Sequence, residues 1–206
     1  MSTLNNESLS LFLVTLGGRV KGSHVEQHDL RWVVGNKIED TFHQLRKQWI
    51  GMPSGLHIDS YIRIDYIDGF QIKLSGIQSS PKKTSSETTL NSSKQQRKLW
   101  FINLGGYHPS YLFEQHQYYL VVANSSKEAK KLAKSRWSSC LLGIHKDNEY
   151  QLNYLLGIDN SYSLDFCNGY VIDLIKDPLS RSQLMKPDWY GYKRIDYSHQ
   201  YEIKVT

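Results

Sequence analysis

Cysteine is nearly absent: Cys140 and Cys167 are the only two among 206 residues. Two thiols cannot build a disulfide framework or a four-sulfur metal site, and their scarcity points to a reducing compartment. Long apolar runs are missing as well. None approaches the ~20 residues a membrane helix requires, so no membrane partner is expected. Several familiar catalytic strings are lacking: there is no Walker lysine, no GxGxxG, no GxSxG-type elbow and no standard zinc spacing. Neither cysteine has a paired histidine nearby, so a thiol nucleophile has no support. The material for a packed core is nevertheless there, with 39% hydrophobic and 12% aromatic residues.

The stretch Leu11–Leu16, LFLVTL, has the apolar character of a signal-peptide core. It is short, no basic leader precedes it, and no small-residue cleavage site follows. A near copy, LWFINLGG, recurs at 99–106 in mid-chain, where no signal could act. A buried strand in a cytoplasmic protein is the expectation.

The net charge of +5 and a pI near 9.0 raise the question of nucleic acid. Lys82, Lys83, Lys94, Arg97 and Lys98 against Glu87 give 77–98 a net +4. Lys127, Lys130, Lys131, Lys134 and Arg136 against Glu128 give a second +4, leaving about −3 for the rest. The basicity is local.

Shifted by 88 residues, 11–60 aligns with 99–148 without a gap. LFLVTLGG falls on LWFINLGG, VEQHDLRWVVGN on FEQHQYYLVVAN, and HID (57–59) on HKD (145–147). Matching of that length, with Trp49 falling on Trp137, marks a tandem duplication. The hairpin-like DYIDGFQIKL (65–74) resembles DFCNGYVIDL (165–174) at a shift of 100, so about twelve residues are inserted in the second copy. RIDYSHQYEIKV (194–205) is a weaker echo, read as a further edge strand.

Within a copy, the continuous apolar run 11–16 predicts a strand buried on both faces, ended by Gly17-Gly18. Residues 26–34 alternate and predict a second strand. Asn36 with Glu39, or Ser125 with Glu128, predicts a capping box. Ile38, Phe42, Leu45 and Trp49, or Ala129, Leu132, Ala133 and Trp137, then recur at helical spacing. His57–Tyr66 predicts a third strand, and Asp68-Gly69 a tight turn into a fourth. The fold class is therefore α+β. Two pseudo-twofold-related β-β-α-β-β units are expected, each a mostly antiparallel sheet with one packed helix. The expected layout is 1–76 for the first repeat, 77–98 for a polar Ser/Thr/Lys-rich linker, and 99–206 for the second repeat with extra C-terminal strands.

LFLVTLGG, EQHDLRWVVG, IEDTFHQLRKQWIG and LHIDSY together resemble the bacterial domain of unknown function 1543 family. The resemblance covers 11–74 and extends, through the repeat, to the second copy. It implies fold kinship and a bacterial origin, and brings no settled activity. The second copy departs from it where Gln117 stands in the place of Asp29, and its loop holds Pro109 and Tyr111.

The polar residues kept in both copies are Glu26, His28, His57 and Asp59, with Glu114, His116, His145 and Asp147. Residues two apart on a strand share a face, so Glu26 with His28, and His57 with Asp59, would each point one way. Neighbouring strands would bring two imidazoles and two carboxylates together, with Asp29 beside them. Such a set suits a divalent metal such as zinc, manganese or iron. It equally suits general acid–base chemistry by histidine. Gly17, Gly18, Gly105 and Gly106 offer backbone N–H groups to a small anion, although a tight turn or close chain packing explains paired glycines as well. Loop-satisfying roles account for the same His and acid residues without any ligand.

Two functional readings result. The first is a protein binding a small anionic molecule or a metal through these duplicated clusters, with catalysis left open. The second is a nucleic-acid or protein interaction module using helix 127–136 and the aromatics Trp189, Tyr190, Tyr192 and Tyr197. Against the second, the lysines of 127–136 lie opposite the apolar stripe, where any solvated helix places them.

Overall fold

A computed structural model describes residues 9–76, 97–108, 110–136, 142–151 and 166–196, with 107 and 142–151 described by their backbone alone. The expected linker up to residue 96, the insertion 152–165, the echo beyond Asp196, and Pro109, Trp137, Cys140 and Tyr197 lie outside these residues.

The first copy contributes β1 (Ser10–Gly18), β2 (Gln27–Gly35), a 3-10 turn (Ile38–Thr41), α1 (Phe42–Gln48), β3 (His57–Ile64), β4 (Tyr66–Ile67) and β5 (Phe70–Gly76). The second contributes β6 (Lys98–Tyr107), β7 (Gln115–Ala123), α2 (Ser126–Ser135), β8 (Leu142–Gln151), β9 (Phe166–Cys167) and β10 (Tyr170–Lys176), and β11 (Trp189–Arg194) follows. The class is α+β, with the described strand pairs antiparallel.

The chain divides into two compact units. Among described residues, the first holds 9–66, 72–74 and 183–196, and the second holds 67–71, 75–76 and the remainder. This corrects the expected layout at its C-terminal end. Residues 189–194 do not extend the second copy's sheet; β11 pairs with β3, giving the first unit a sheet of order β11-β3-β1-β2. The second unit carries the sheet β7-β6-β8.

The duplication repeats the register of the first two strands, and the second copy adds a further shift between Gly105 and Tyr107. Leu11 faces Val34 as Leu99 faces Val122, and Gly17 faces His28 as Gly105 faces His116. Even an irregularity repeats. β3 bulges opposite Thr15/Leu16 and β8 opposite Asn103/Leu104, leaving Asp59 and Asp147 as the extra residues. A bulge adds one residue to one strand and changes where its neighbours point.

In the first unit, Phe12, Val14 and Leu16 of β1 pack with Val33, Ile58, Ile38, Leu45 and Trp49 into the core under α1. The helical stripe read from spacing is the buried one. Its opening differs from expectation. Asp40, not Glu39, accepts from the Lys37 amide (3.2 Å), because the first turn is a 3-10 turn that starts a residue later. Glu39 instead points to β11, where a 2.6 Å hydrogen bond from Lys193 lowers its pKa below the usual carboxylate value. In the second unit, Ser125 caps α2 as expected, its hydroxyl accepting from the Glu128 amide (3.3 Å). The Glu128 carboxylate returns to the Asn124 amide (2.9 Å). Ala129 and Ala133 are buried against β6 and β7.

The expected strand His57–Tyr66 is interrupted at Asp65. Gln183 clamps the break: its Oε1 accepts from the amides of Asp65 (2.7 Å) and Tyr66 (2.9 Å), and its Nε2 donates to the Arg63 carbonyl (2.7 Å). Both hairpin turns have positive φ at each central residue: Asp68 (50°) with Gly69 (79°), and Asn168 (48°) with Gly169 (87°). That geometry matches the twist of the flanking strands and explains the Asp-Gly and Asn-Gly pairs.

Candidate functional site

One face of the first unit's sheet carries a row of polar groups across all four strands. In the centre, Gly17 is paired with His28 on β2 and with His57 on β3. Opposed residues share a face, so both imidazoles stand on the side from which Gly17 presents no side chain. The β3 bulge keeps Asp59 on that face, and Ser60 joins it by donating to Thr15 Oγ1 at 3.2 Å. Glu26, just ahead of β2, reaches the same place.

His57 is the buried member, with 2% of its side chain exposed, against 31% for Asp59, 44% for Glu26 and 54% for His28. Its Nδ1 lies 2.8 Å from the Gly55 carbonyl oxygen. A carbonyl only accepts, so Nδ1 carries a proton and the ring orientation is fixed. Nε2 then points between Asp59 Oδ1 (3.2 Å) and Glu26 Oε1 (3.4 Å). His28 Nε2 is 3.3 Å from Asp59 Oδ2. That oxygen is shielded from solvent and has no hydrogen-bond partner. His57 Nε2 and the oxygens of two carboxylates thus converge on one place on this face.

The glycines act through space. A Cβ on Gly17 would lie 2.5 Å from His57 Nε2 and 2.9 Å from Asp59 Oδ2, and one on Gly18 would lie 2.8 Å from the Trp49 ring. The first glycine makes room for the polar row and the second, on the opposite face, for the core tryptophan. Gly17 is paired on both edges, which commits its peptide groups to the ladders. Gly17 and Gly18 are strand residues, as are Gly105 and Gly106 within β6.

Asp29 does not join the cluster. It lies one residue from His28 and so faces the helix side, where it pairs with Arg31 and accepts from the Leu30 amide (2.7 Å). In the second unit, Gly105 is flanked by His116 and His145 as Gly17 is by His28 and His57. His116 Nδ1 contacts Asn103 Oδ1 at 3.2 Å, and its Nε2 stands 4.0 Å from Glu114. Asn103 occupies the position of Thr15, so the second imidazole has a partner that the first lacks. His145 and Asp147 hold the matching backbone positions on β8. Gln117, in the place of Asp29, accepts from the Tyr119 hydroxyl (2.6 Å).

One member of the row reads in the sequence only as part of a C-terminal aromatic cluster. Tyr192 lies in a bulge of β11 between Tyr190 and Lys193. Its ring stacks on His57 at 4.1 Å between centroids, tilted by 33°. Of the other C-terminal aromatics, Trp189 stacks on Tyr61 (6.0 Å, 17°) within the core, while Tyr190 is exposed. On α2, Arg136 is bound to Asp68 (2.8 Å) and to the Leu120 carbonyl (3.2 Å). Among the described residues, no group of three or more His, Cys, Asp or Glu side chains is arranged to hold a metal ion. No helix among them is long and apolar enough to cross a membrane.

An antiparallel sheet carrying a short helix, built twice with a repeated bulge, defines the structural class. The chain belongs to the family described as Domain of Unknown Function (DUF1543), which matches residues 23–74 and 111–173. Those two segments contain Glu26, His28, His57 and Asp59 and their four counterparts. Among solved structures, the chain is similar to the crystal structure of a protein Il1583 from Idiomarina loihiensis. That likeness has 29% identity and a TM-score of 0.61, covering 90% of this chain and 97% of that one. No curated protein matches the chain.

Proposed function

We propose that the first unit binds a small polar molecule over Gly17 and exchanges a proton with it at His57. The observation that carries this reading is the fixed orientation of His57. Its Nδ1 proton is held by Gly55, and its Nε2 faces Asp59 and Glu26. An oriented imidazole beside carboxylates is the arrangement general acid–base chemistry uses. The neighbouring oxygen of Asp59, buried without a hydrogen bond, supports the reading: such an atom is costly unless something satisfies it. The reading is made for the first copy, where the side chains of Glu26, His28, His57 and Asp59 meet. Cys167, a free buried thiol, accords with a reducing, cytoplasmic setting.

A thermal-shift screen tests this, using small amines, carboxylates and phosphates with wild type, His57→Gln and Asp59→Asn. Stabilisation of the wild type by at least one class, lost in both variants while circular dichroism shows the fold retained, is the expected result. Stabilisation that persists in both variants, or none from any class, would overturn the reading.

A further inference from the structure

We propose that the row formed by His28, Gly17, His57 and Asp59, with Tyr192 beside it, takes a protonated primary amine. The proposal rests on the ligand-site reading above and names the chemical class of its ligand. Charge is the first argument. Two carboxylates, Glu26 and Asp59, meet two imidazoles here, and the cations that β11 brings are engaged elsewhere. Lys193 donates to Glu39 (2.6 Å) on the helix face, and Arg194 pairs with Asp196 (2.6 Å). An anion would meet these carboxylates without help from the Gly17 peptide groups, which the ladders occupy.

Hydrogen-bond polarity is the second argument. With Nδ1 turned to the Gly55 carbonyl, His57 directs Nε2 into the row, toward Asp59 and Glu26. The carboxylates of Asp59 and Glu26 offer acceptor oxygens, and buried Asp59 Oδ2 makes no hydrogen bond, with His28 Nε2 standing 3.3 Å away. What the cluster wants is a donor carrying positive charge. A metal would need these atoms on a common sphere at ~2.0–2.2 Å, and no group here is so arranged. An ammonium group donates three charge-assisted bonds of ~2.7–2.9 Å in different directions, so its acceptors can lie farther apart.

The third argument is aromatic. Tyr192 keeps 64% of its surface exposed although its ring is stacked on His57. Gly191, at φ 151°, shapes the bulge that turns it there. An exposed ring fixed beside carboxylates favours a cation through its quadrupole and covers the alkyl part of an amine.

The test is a titration of protein carrying 15N-labelled histidine, at constant ionic strength and pH 7.5, with His57 assigned through His57→Gln. The probes are methylammonium, tetramethylammonium, acetate and zinc chloride. Methylammonium should shift the His57 signals saturably, with affinity at least tenfold lower in Asp59→Asn and in Tyr192→Leu. Saturation by acetate alone would overturn the amine proposal while leaving a ligand site in place. Equal affinity for tetramethylammonium, which has no N–H donors, would overturn the hydrogen-bond argument. Zinc binding through His57, without a methylammonium response, would replace the amine by a metal. Methylammonium binding indifferent to both substitutions would put it elsewhere. No saturable shift with any probe would overturn both this proposal and the site reading beneath it.

Discussion

Replacing Gly17 by alanine adds one methyl group at the centre of the polar row. That Cβ would meet His57 Nε2 at 2.5 Å and Asp59 Oδ2 at 2.9 Å. His57 cannot swing aside freely, since its Nδ1 is bound to Gly55 and its other face is stacked against Tyr192. Overpacking of this kind costs about 1–3 kcal/mol. Restricting the unfolded chain offsets roughly 0.4–1 kcal/mol of that. A net loss of about 1–2 kcal/mol should lower Tm by roughly 2–8 °C for a chain of this size. Gly76→Ala is the control, because a Cβ there has nothing within 4 Å, and it should stay within about 0.5 kcal/mol of wild type. Chemical denaturation of Gly17→Ala, His57→Ala and the double variant then isolates the contact. The alanine at 17 should cost at least about 1 kcal/mol less once His57 is removed. Equal stability of the Gly17→Ala and Gly76→Ala variants, or strict additivity in the cycle, would refute the claim that Gly17 exists to seat His57.

Other outcomes follow from the packing and the charges. Leu45→Ala, which empties a fully buried position beneath the sheet, should destabilise by about 2–5 kcal/mol in a urea titration. Ser125→Ala removes the hydroxyl that caps α2 and should cost about 0.5–2 kcal/mol, read by circular dichroism melting. Hydrogen bonds from Arg181 hold the Asp177 carboxyl down, to about 2 from a usual 3.8. A depressed carboxyl stabilises the fold above its unfolded pKa and loses that contribution as pH falls through its folded one. The urea midpoint of wild type should therefore exceed that of Arg181→Gln at pH 6, with the gap closing between about pH 4 and pH 2. Burial pushes the Cys167 thiol up to about 12, so iodoacetamide at pH 8 should alkylate it only after denaturation, as peptide mass mapping would show.

Local patterns survive in the sequence because they depend on neighbours a few residues away. The strand 11–16, the helical stripe from Ile38 to Trp49 and the Asp68-Gly69 turn each carry their own periodicity or turn chemistry. The meeting of Glu26, His28, His57 and Asp59 was legible for a related reason. Two i, i+2 pairs recurred at the same offset in both copies, and only the adjacency of their strands to β1 had to be supplied. Sequence could not show the bulge at Asp59, which lets both Asp59 and Ser60 face the row. Nor could it show that Asp29 turns to Arg31 or Glu39 to Lys193, because each choice depends on which side of an element faces which partner. Tyr192 is the clearest case. Its partner His57 is 135 residues away, and long-range pairing of an edge strand leaves no trace in local spacing.

The place of β11 has a bearing on how the chain is made. β3 stays an open edge, with unpaired peptide groups, until Trp189–Arg194 emerges from the ribosome. Ile195, buried in the first unit's core and tied by its amide to the Leu56 carbonyl (3.0 Å), follows directly behind it. The first unit's sheet, begun before the β7-β6-β8 sheet, is thus completed after it. Nascent chains halted before residue 189 would expose a sticky border, the kind of surface that holding chaperones shield.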